Sequence, residues 1–288
     1  MNIQNILGEC KLTNATISSL AGGDINHAFL IQHNHNRYFL KVNDANHYPN
    51  MFEKESNGLQ ALSKSGLFKI PDVLQHGVID NKQYLLLEWI ETGQPKPDFW
   101  MKFGKSLAQF HLQEQSFYGW HEDNYIGSLS QHNDRHATWE DFFINCRVMP
   151  KVKLLHDSGH YTSKDLMLVD NFCKHIKNIF PTEKPCLLHG DLWSGNFIIT
   201  KKGEPALIDP AVYCGHREMD IGMTKLFGGF DNLFYQSYNE VYPLEKGWKE
   251  RLAFAQLYPL LVHAVLFGGH YIEQTRTIMA LKNKITFK

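Results

Sequence analysis

The stretch Cys186-Leu187-Leu188-His189-Gly190-Asp191-Leu192-Trp193-Ser194-Gly195-Asn196-Phe197, with Ile208-Asp209-Pro210 after it, decides the fold. Apolar runs flank both acidic positions. Leu187-Leu188, Phe197-Ile198-Ile199 and Ala206-Leu207-Ile208 read as short buried strands that present a polar loop. An Asp, an Asn five residues later and a second Asp beyond a hairpin make an oxygen set suited to Mg2+, which takes carboxylate and amide oxygens together with phosphates and water. Backbone capping in a turn is the other use for Asp191 and Asn196. It accounts for either residue alone and poorly for the joined pattern.

Phosphoryl transfer needs these residue types at this spacing. One carboxylate, Asp191, faces the acceptor hydroxyl and takes its proton, while Asn196 and Asp209 hold Mg2+ against the nucleotide phosphates. The order H-x-D-x-x-x-x-N followed by D is similar to the protein-kinase catalytic loop and its metal-binding Asp. Two further parts of such a site lie upstream. Lys41, inside Tyr38-Phe39-Leu40-Lys41-Val42, places an amine on an apolar strand within reach of α- and β-phosphates; a solvated edge charge is the plainer alternative. Glu55 is the candidate ion-pair partner and Glu53 its competitor, since residues two apart on a helix point in different directions. Gly22-Gly23-Asp24-Ile25-Asn26 is either a phosphate-covering turn or an ordinary hairpin turn, because it is not G-x-G-x-x-G.

Outward from these residues, the first ninety positions carry strand signals. Ala28 to Gln32 and Tyr38 to Val42, joined by His33-Asn34-His35-Asn36, predict an antiparallel hairpin. A helix is expected from about Met51 to Ser65, capped by Asn50, burying Phe52, Leu59 and Leu62, and ended by Gly66. Tyr84 to Trp89 has strand length. The turn-rich Thr92-Gly93-Gln94-Pro95-Lys96-Pro97 then separates this part from helical patterns: Trp100, Phe103, Leu107 and Phe110 at spacings of three and four, then Ser163 to Phe180, then Trp248 to Gly268. The expectation is an α+β chain of two lobes, with a small β-rich part at 1–91 and a larger α-helical part at 92–288.

The 288 residues are 43% hydrophobic and 13% aromatic, enough for a substantial core. With 29 Lys and Arg against 30 Asp and Glu, the net charge of −1 provides no broad basic field for nucleic acid or an acidic membrane. No apolar run reaches the length of a spanning helix, and the first residues lack a basic and then apolar leader. A soluble, cytoplasmic protein is expected. Five scattered cysteines without a CxxC pair suit reduced thiols, and sixteen histidines without HExxH give no metal site.

His189-Gly190-Asp191-Leu192-Trp193-Ser194-Gly195-Asn196 resembles the HGDLWxGN loop of the fructosamine-3-kinase or ketosamine-3-kinase family, relatives of aminoglycoside phosphotransferases and choline kinases. Trp193-Ser194 stands where the wider small-molecule kinases more often have His-Pro. Asp209-Pro210-Ala211-Val212-Tyr213-Cys214-Gly215-His216-Arg217-Glu218-Met219-Asp220 is similar to the family's DPAxxYGHRExD segment, with Cys214 in place of an aromatic. Gly119-Trp120, Asp123 to Ser128, Trp139 with Phe142-Phe143, and Phe227 to Phe230 extend the likeness.

The resemblance implies a protein-kinase-like fold, ATP and Mg2+ as cofactors, and phosphoryl transfer to a hydroxyl, the 3-hydroxyl, of a sugar-derived ketoamine. It implies Asp191 as base, Asn196 and Asp209 as metal ligands, and Lys41 with Glu55 as the phosphate-binding pair. On this reading Gly22 and Gly23 would be the phosphate-covering form of their turn, and Glu88, Trp89 and Ile90 would form the adenine-contacting hinge. Asp220, beside His189, braces the loop. Acceptor contacts are expected from Trp193, Asp123, Asn124, His216, Arg217 and Glu218, although the last three equally suit a buried bracing network and Trp193 equally suits the core. Trp120 and Trp139 suit core packing better than sugar stacking. The competing functions are a kinase for an aminoglycoside-, choline- or homoserine-type acceptor and a nucleotide-binding pseudokinase scaffold; the partner is a small glycated amine, with no nucleic acid and no membrane.

Overall fold

A computed structural model describes residues 3–21 and 25–281. In chain order its elements begin with α1 (Ile3–Glu9), β1 (Thr16–Leu20), β2 (His27–His33), β3 (Asn36–Asp44), α2 (Met51–Ser63), β4 (Val73–Ile79) and β5 (Lys82–Glu88). Next come α3 (Phe99–His111), β6 (Asn124–Ile126), β7 (Leu129–Gln131), α4 (Trp139–Phe142), α5 (Met149–Asp157), α6 (Ser163–Cys173) and β8 (Cys186–Leu188). The remainder are β9 (Phe197–Ile199), β10 (Pro205–Leu207), β11 (Tyr213–Gly215), α7 (Glu218–Leu226), α8 (Asn232–Val241), α9 (Trp248–Ala255), α10 (Leu257–Phe267) and α11 (His270–Ala280). No helix among the described residues is long and apolar enough to cross a membrane.

The chain divides into two compact units, one of Met1–Phe99 with Asn196–Ala211, the other of Trp100–Gly195 with Val212–Lys288. The sequence places its break after residue 91 and leaves 196–211 with the second part. The difference has a local cause. The β9–β10 hairpin is fastened to the first unit by backbone bonds from Gly93 N–H to Ile199 O at 2.9 Å, Lys201 N–H to Glu91 O at 2.7 Å and Leu207 N–H to Lys69 O at 2.9 Å.

The first unit is built on a five-stranded antiparallel sheet of order β1-β2-β3-β5-β4. The expected hairpin is β2–β3, with His33 paired to Asn36 around a two-residue turn. Asn34 and His35 both have positive φ, 47° and 66°, the backbone that a two-residue turn needs to match strand twist. One sheet face carries a core of α1 residues Ile6 and Leu7 with Phe29, Ile31, Leu40, Val42, Tyr84 and Leu86. Leu85 and Leu87 alternate onto the opposite face and are also buried, which is why β5 reads as a continuous apolar run. Helix α2 packs on β4 and β5. Asn50 does not cap it by its side chain: the residue is left-handed, φ 58°, and contributes only its carbonyl, to Lys54 N–H.

The second unit is mainly helical. The Trp100 stripe is α3, with Phe103, Leu107 and Phe110 buried. The Ser163–Phe180 pattern is α6 followed by a single 3-10 turn at Ile176–Asn178. The Trp248–Gly268 pattern splits at Gln256 into α9 and α10, because Pro259 lacks an N–H and fits only the first turn of a new helix.

Candidate active site

In the first unit the site grows from the alternation of β3. Phe39 and Lys41 share a face, and their partners across the ladder, Leu87 and Leu85, share it too. Lys41 is buried, and its Nζ lies 2.8 Å from Glu55 Oε1 and 2.6 Å from Asp209 Oδ1. Glu53, the competing carboxylate, is exposed. Burial alone pushes the Lys41 ammonium down, but the carboxylates of Asp209 and Glu55 outweigh it and raise it above its ordinary value. Lys41 is therefore a fixed cation.

Asn196 and Asp209 lie just before β9 and just after β10, and Ile208 N–H donates to Asn196 O at 3.1 Å, fastening the two ends of the hairpin. Asp209 is left-handed, φ 52°, although it precedes Pro210, which normally holds its neighbour extended. That strained backbone delivers the carboxylate to Lys41. A half-exposed carboxylate and a buried carboxamide are hard oxygen donors, the chemistry Mg2+ takes when phosphates and water complete its shell. No group of three or more His, Cys, Asp or Glu among the described residues forms a protein-only metal cage.

Asp209 also borders a cavity of about 170 Å³ whose walls include Leu20, Phe39, Leu87, Ile90, Ile198 and Ile208. Flat apolar walls on both sheet and hairpin suit an aromatic base. Glu88, Trp89 and Ile90 all line it. The Glu88 carboxylate is taken by Lys69 Nζ and by Asp72 N–H at 3.1 Å, and the Glu88 N–H donates to Asp72 O at 2.9 Å. Gly22 and Gly23 lie outside the described residues.

In the second unit β8 pairs with β11, and the chain leaves β8 into His189-Gly190-Asp191. Asp220 holds this loop by its backbone: Oδ2 accepts His189 N–H at 2.8 Å and Oδ1 accepts Gly190 N–H at 2.9 Å. Burial would raise the Asp220 carboxyl, but hydrogen bonding and charge from His111, with the loop N–H groups, hold it below the ordinary carboxylate range. His111 spans from Asp220 to the Tyr238 hydroxyl, at 3.3 and 2.9 Å. The Asp191 N–H donates to His189 Nδ1 at 3.3 Å, and the residue is half-buried. Trp193 packs edge-on to Phe227 at 5.7 Å, over Gly195, where a Cβ would fall 2.4 Å from the indole. That contact requires glycine.

The residues expected to contact the acceptor separate into two groups. Asp123 is half-exposed, with one oxygen accepting Asn133 N–H at 2.8 Å and the other 3.0 Å from His132 Nδ1. Asn124, by contrast, is buried, bridging Val212 O to Gln131 and Asn133. His216, Arg217 and Glu218 are buried and bonded within the second unit, which fits the bracing network. Arg217 grips Glu183 through two bonds of 2.7 and 2.8 Å and donates to the carbonyls of Tyr242 and Pro243. Glu218 is clasped by Arg251, and His216 sits 3.2 Å from Pro181 O with burial pushing its pKa down. All three are at most 2% exposed. The sequence reading missed His111 and Tyr238, whose only signal is polarity at core-facing helix positions, and Arg147, buried across Phe142, Tyr213 and Tyr258. Trp139 is core, among Tyr118, Phe143 and Phe180.

A sequence profile of the fructosamine kinase family matches residues 2–284. A probable ketoamine kinase of Vibrio parahaemolyticus is 40% identical over 261 residues, covering 89% of this chain and 88% of its own length. A chloroplastic protein-ribulosamine 3-kinase of rice is 35% identical over 285 residues, covering 96% and 81%. The crystal structure of a candidate fructosamine-3-kinase from Thermobifida fusca superposes with a TM-score of 0.87 at 30% identity, covering 98% and 99%. An aminoglycoside phosphotransferase solved with AMP-PNP and hygromycin B reaches 0.67 at 18% identity, covering 99% and 100%, a likeness of fold. The architecture is thus the α+β protein-kinase-like fold.

Proposed function

Because the chain belongs to the fructosamine kinase family and is a phosphotransferase with a hydroxyl acceptor, we propose that it transfers the γ-phosphoryl group of ATP to the 3-hydroxyl of a ketoamine. The observation that carries the reading is the Lys41 ammonium fixed between Glu55 and Asp209, the latter bordering an apolar cavity. The cavity walls take adenine, and Lys41 meets the α- and β-phosphates once nucleotide competes for it. Asn196 and Asp209 hold Mg2+, which offsets the charge of the phosphates. Asp191 orients the acceptor hydroxyl and takes its proton as the bond to phosphorus forms. Asp220 keeps the loop that carries Asp191 in one conformation.

The related proteins named for ketoamine and ribulosamine substrates support the acceptor class. A phosphate on the third carbon sits β to the enaminol that a ketoamine forms at its first two carbons. Its elimination as inorganic phosphate, followed by hydrolysis, frees the amine, so the activity belongs to a route that reverses glycation. The test is ATP turnover by the purified chain with fructose-, ribulose- and psicose-derived amines, with the phosphorylated carbon located by NMR. Phosphate on the third carbon is the expected result. Turnover of choline, homoserine or an aminoglycoside with every ketoamine inert contradicts the reading.

A further inference from the structure

A run of aromatic rings leaves the catalytic loop two residues after Asp191. Trp193 meets Phe227 at 5.7 Å, Phe227 meets His263 at 4.9 Å, and His263 meets both Tyr271 at 5.1 Å and Phe267 at 5.5 Å. Phe227 directly follows α7, His263 and Phe267 lie in the second half of α10, and Tyr271 is in the first turn of α11, so three neighbouring segments contribute to one strip. Its outer end is open: Phe267 is 59% exposed, and a Cβ at Gly228, Gly229 or Gly269 would meet no atom within 4 Å. A lone exposed ring is ordinary on a protein surface. Phe267 instead ends a contiguous strip that starts two residues after Asp191.

The charge state of the strip is also set. His263 Nδ1 lies 2.8 Å from Pro259 O, and a carbonyl only accepts, so Nδ1 carries the hydrogen. Burial pushes this imidazole below its ordinary pKa, so at neutral pH it is uncharged and does not repel a cation. Aromatic faces attract ammonium groups and bury apolar surface together. A ketoamine acceptor has a cationic secondary amine, and its substituent extends away from the sugar carbon that reacts.

We propose that Trp193, Phe227, His263, Phe267 and Tyr271 form a shelf that seats the amine-borne part of the acceptor, so that ketoamines of bulky apolar or aromatic amines are preferred. The inference rests on the ketoamine reading and specifies which members of that class are turned over fastest.

The test compares fructosamines of methylamine, hexylamine and phenethylamine with the full chain and ATP. In the wild type kcat/KM should rise about tenfold from the methyl to the phenethyl compound. Phe267→Ala should lower it on the phenethyl compound, through KM, at least about fivefold more than on the methyl compound, with Phe267→Trp restoring the preference. Tyr271→Ala provides the same comparison from the neighbouring helix. Phe267 is exposed enough for its variants to fold. A flat series in the wild type, or equal losses on all three compounds, overturns the shelf. A wild type inert on every fructosamine overturns the ketoamine reading itself, and does so before any variant is compared.

Discussion

Lys41 sets two carboxylates against the cost of burying an ammonium. The contact with Glu55 is enclosed, whereas the Asp209 side chain is 45% exposed, so water weakens the second contact more than the first. Lys41→Met should lower folding stability by about 3 kcal/mol, read from the urea midpoint, because Glu55 is left as a buried, unpaired charge. Replacing both partners, Lys41→Met with Glu55→Leu, should recover most of that loss, as apolar pairs often match buried ion pairs. Both proteins should lose about 100-fold or more in kcat/KM, since the cation proposed to meet the phosphates is gone. A double variant no more stable than the single one contradicts this account of the pair. The pairing of Lys41 with Glu55 was legible in strand and helix order together with the family likeness. The additional hold on Asp209 was not, because a left-handed residue before proline goes against local preference and only the assembled hairpin enforces it.

At the scale of elements, close approach decides what is tolerated. Gly104 in α3 faces α8, and a Cβ there would fall 2.2 Å from Phe234 O, a backbone atom that moves only with its helix. Gly104→Ala should therefore lower stability by about 1–3 kcal/mol, measured by denaturant unfolding. Helix α5 carries a second strained feature. Lys151 is buried with its Nζ 2.7 Å from Ser130 O, and burial, aided by Arg147, pushes its pKa down from 10.5 to about 8. The folded chain thus releases this proton before the unfolded chain does. Between pH 8 and 10.5 the unfolded state holds more protons, so stability gains from this group as pH rises. The stability of the wild type relative to Lys151→Met should improve across that window and be lowest below pH 8, where the buried amine is charged. A difference independent of pH contradicts the assignment. Apolar periodicity revealed the helices themselves. Where they break was hidden, because Pro259 reads as a helix breaker or as a helix start depending on a turn that spacing does not show.

For the whole molecule, the family was legible because the stretch His189 to Asn196 and the later Asp209 keep an order and a set of residue types that phosphoryl transfer demands. Division into units was less so: the hairpin carrying Asn196 and Asp209 lies in the second half of the sequence and packs with the first ninety-nine residues. Sequence patterning marks a hairpin but not what it packs against. The same limit applies to His216, Arg217 and Glu218, whose charges suit a pocket and whose positions are inside a core. In the proposed mechanism Asp191 acts as the base while the first unit binds nucleotide without it. The direct measurement is ATP affinity and ketoamine turnover on one preparation each of wild type and Asp191→Asn. Nucleotide Kd should stay within about threefold, while kcat falls by about 10³–10⁴. An Asp191→Asn protein that retains turnover, or that loses ATP binding in step with it, contradicts the account.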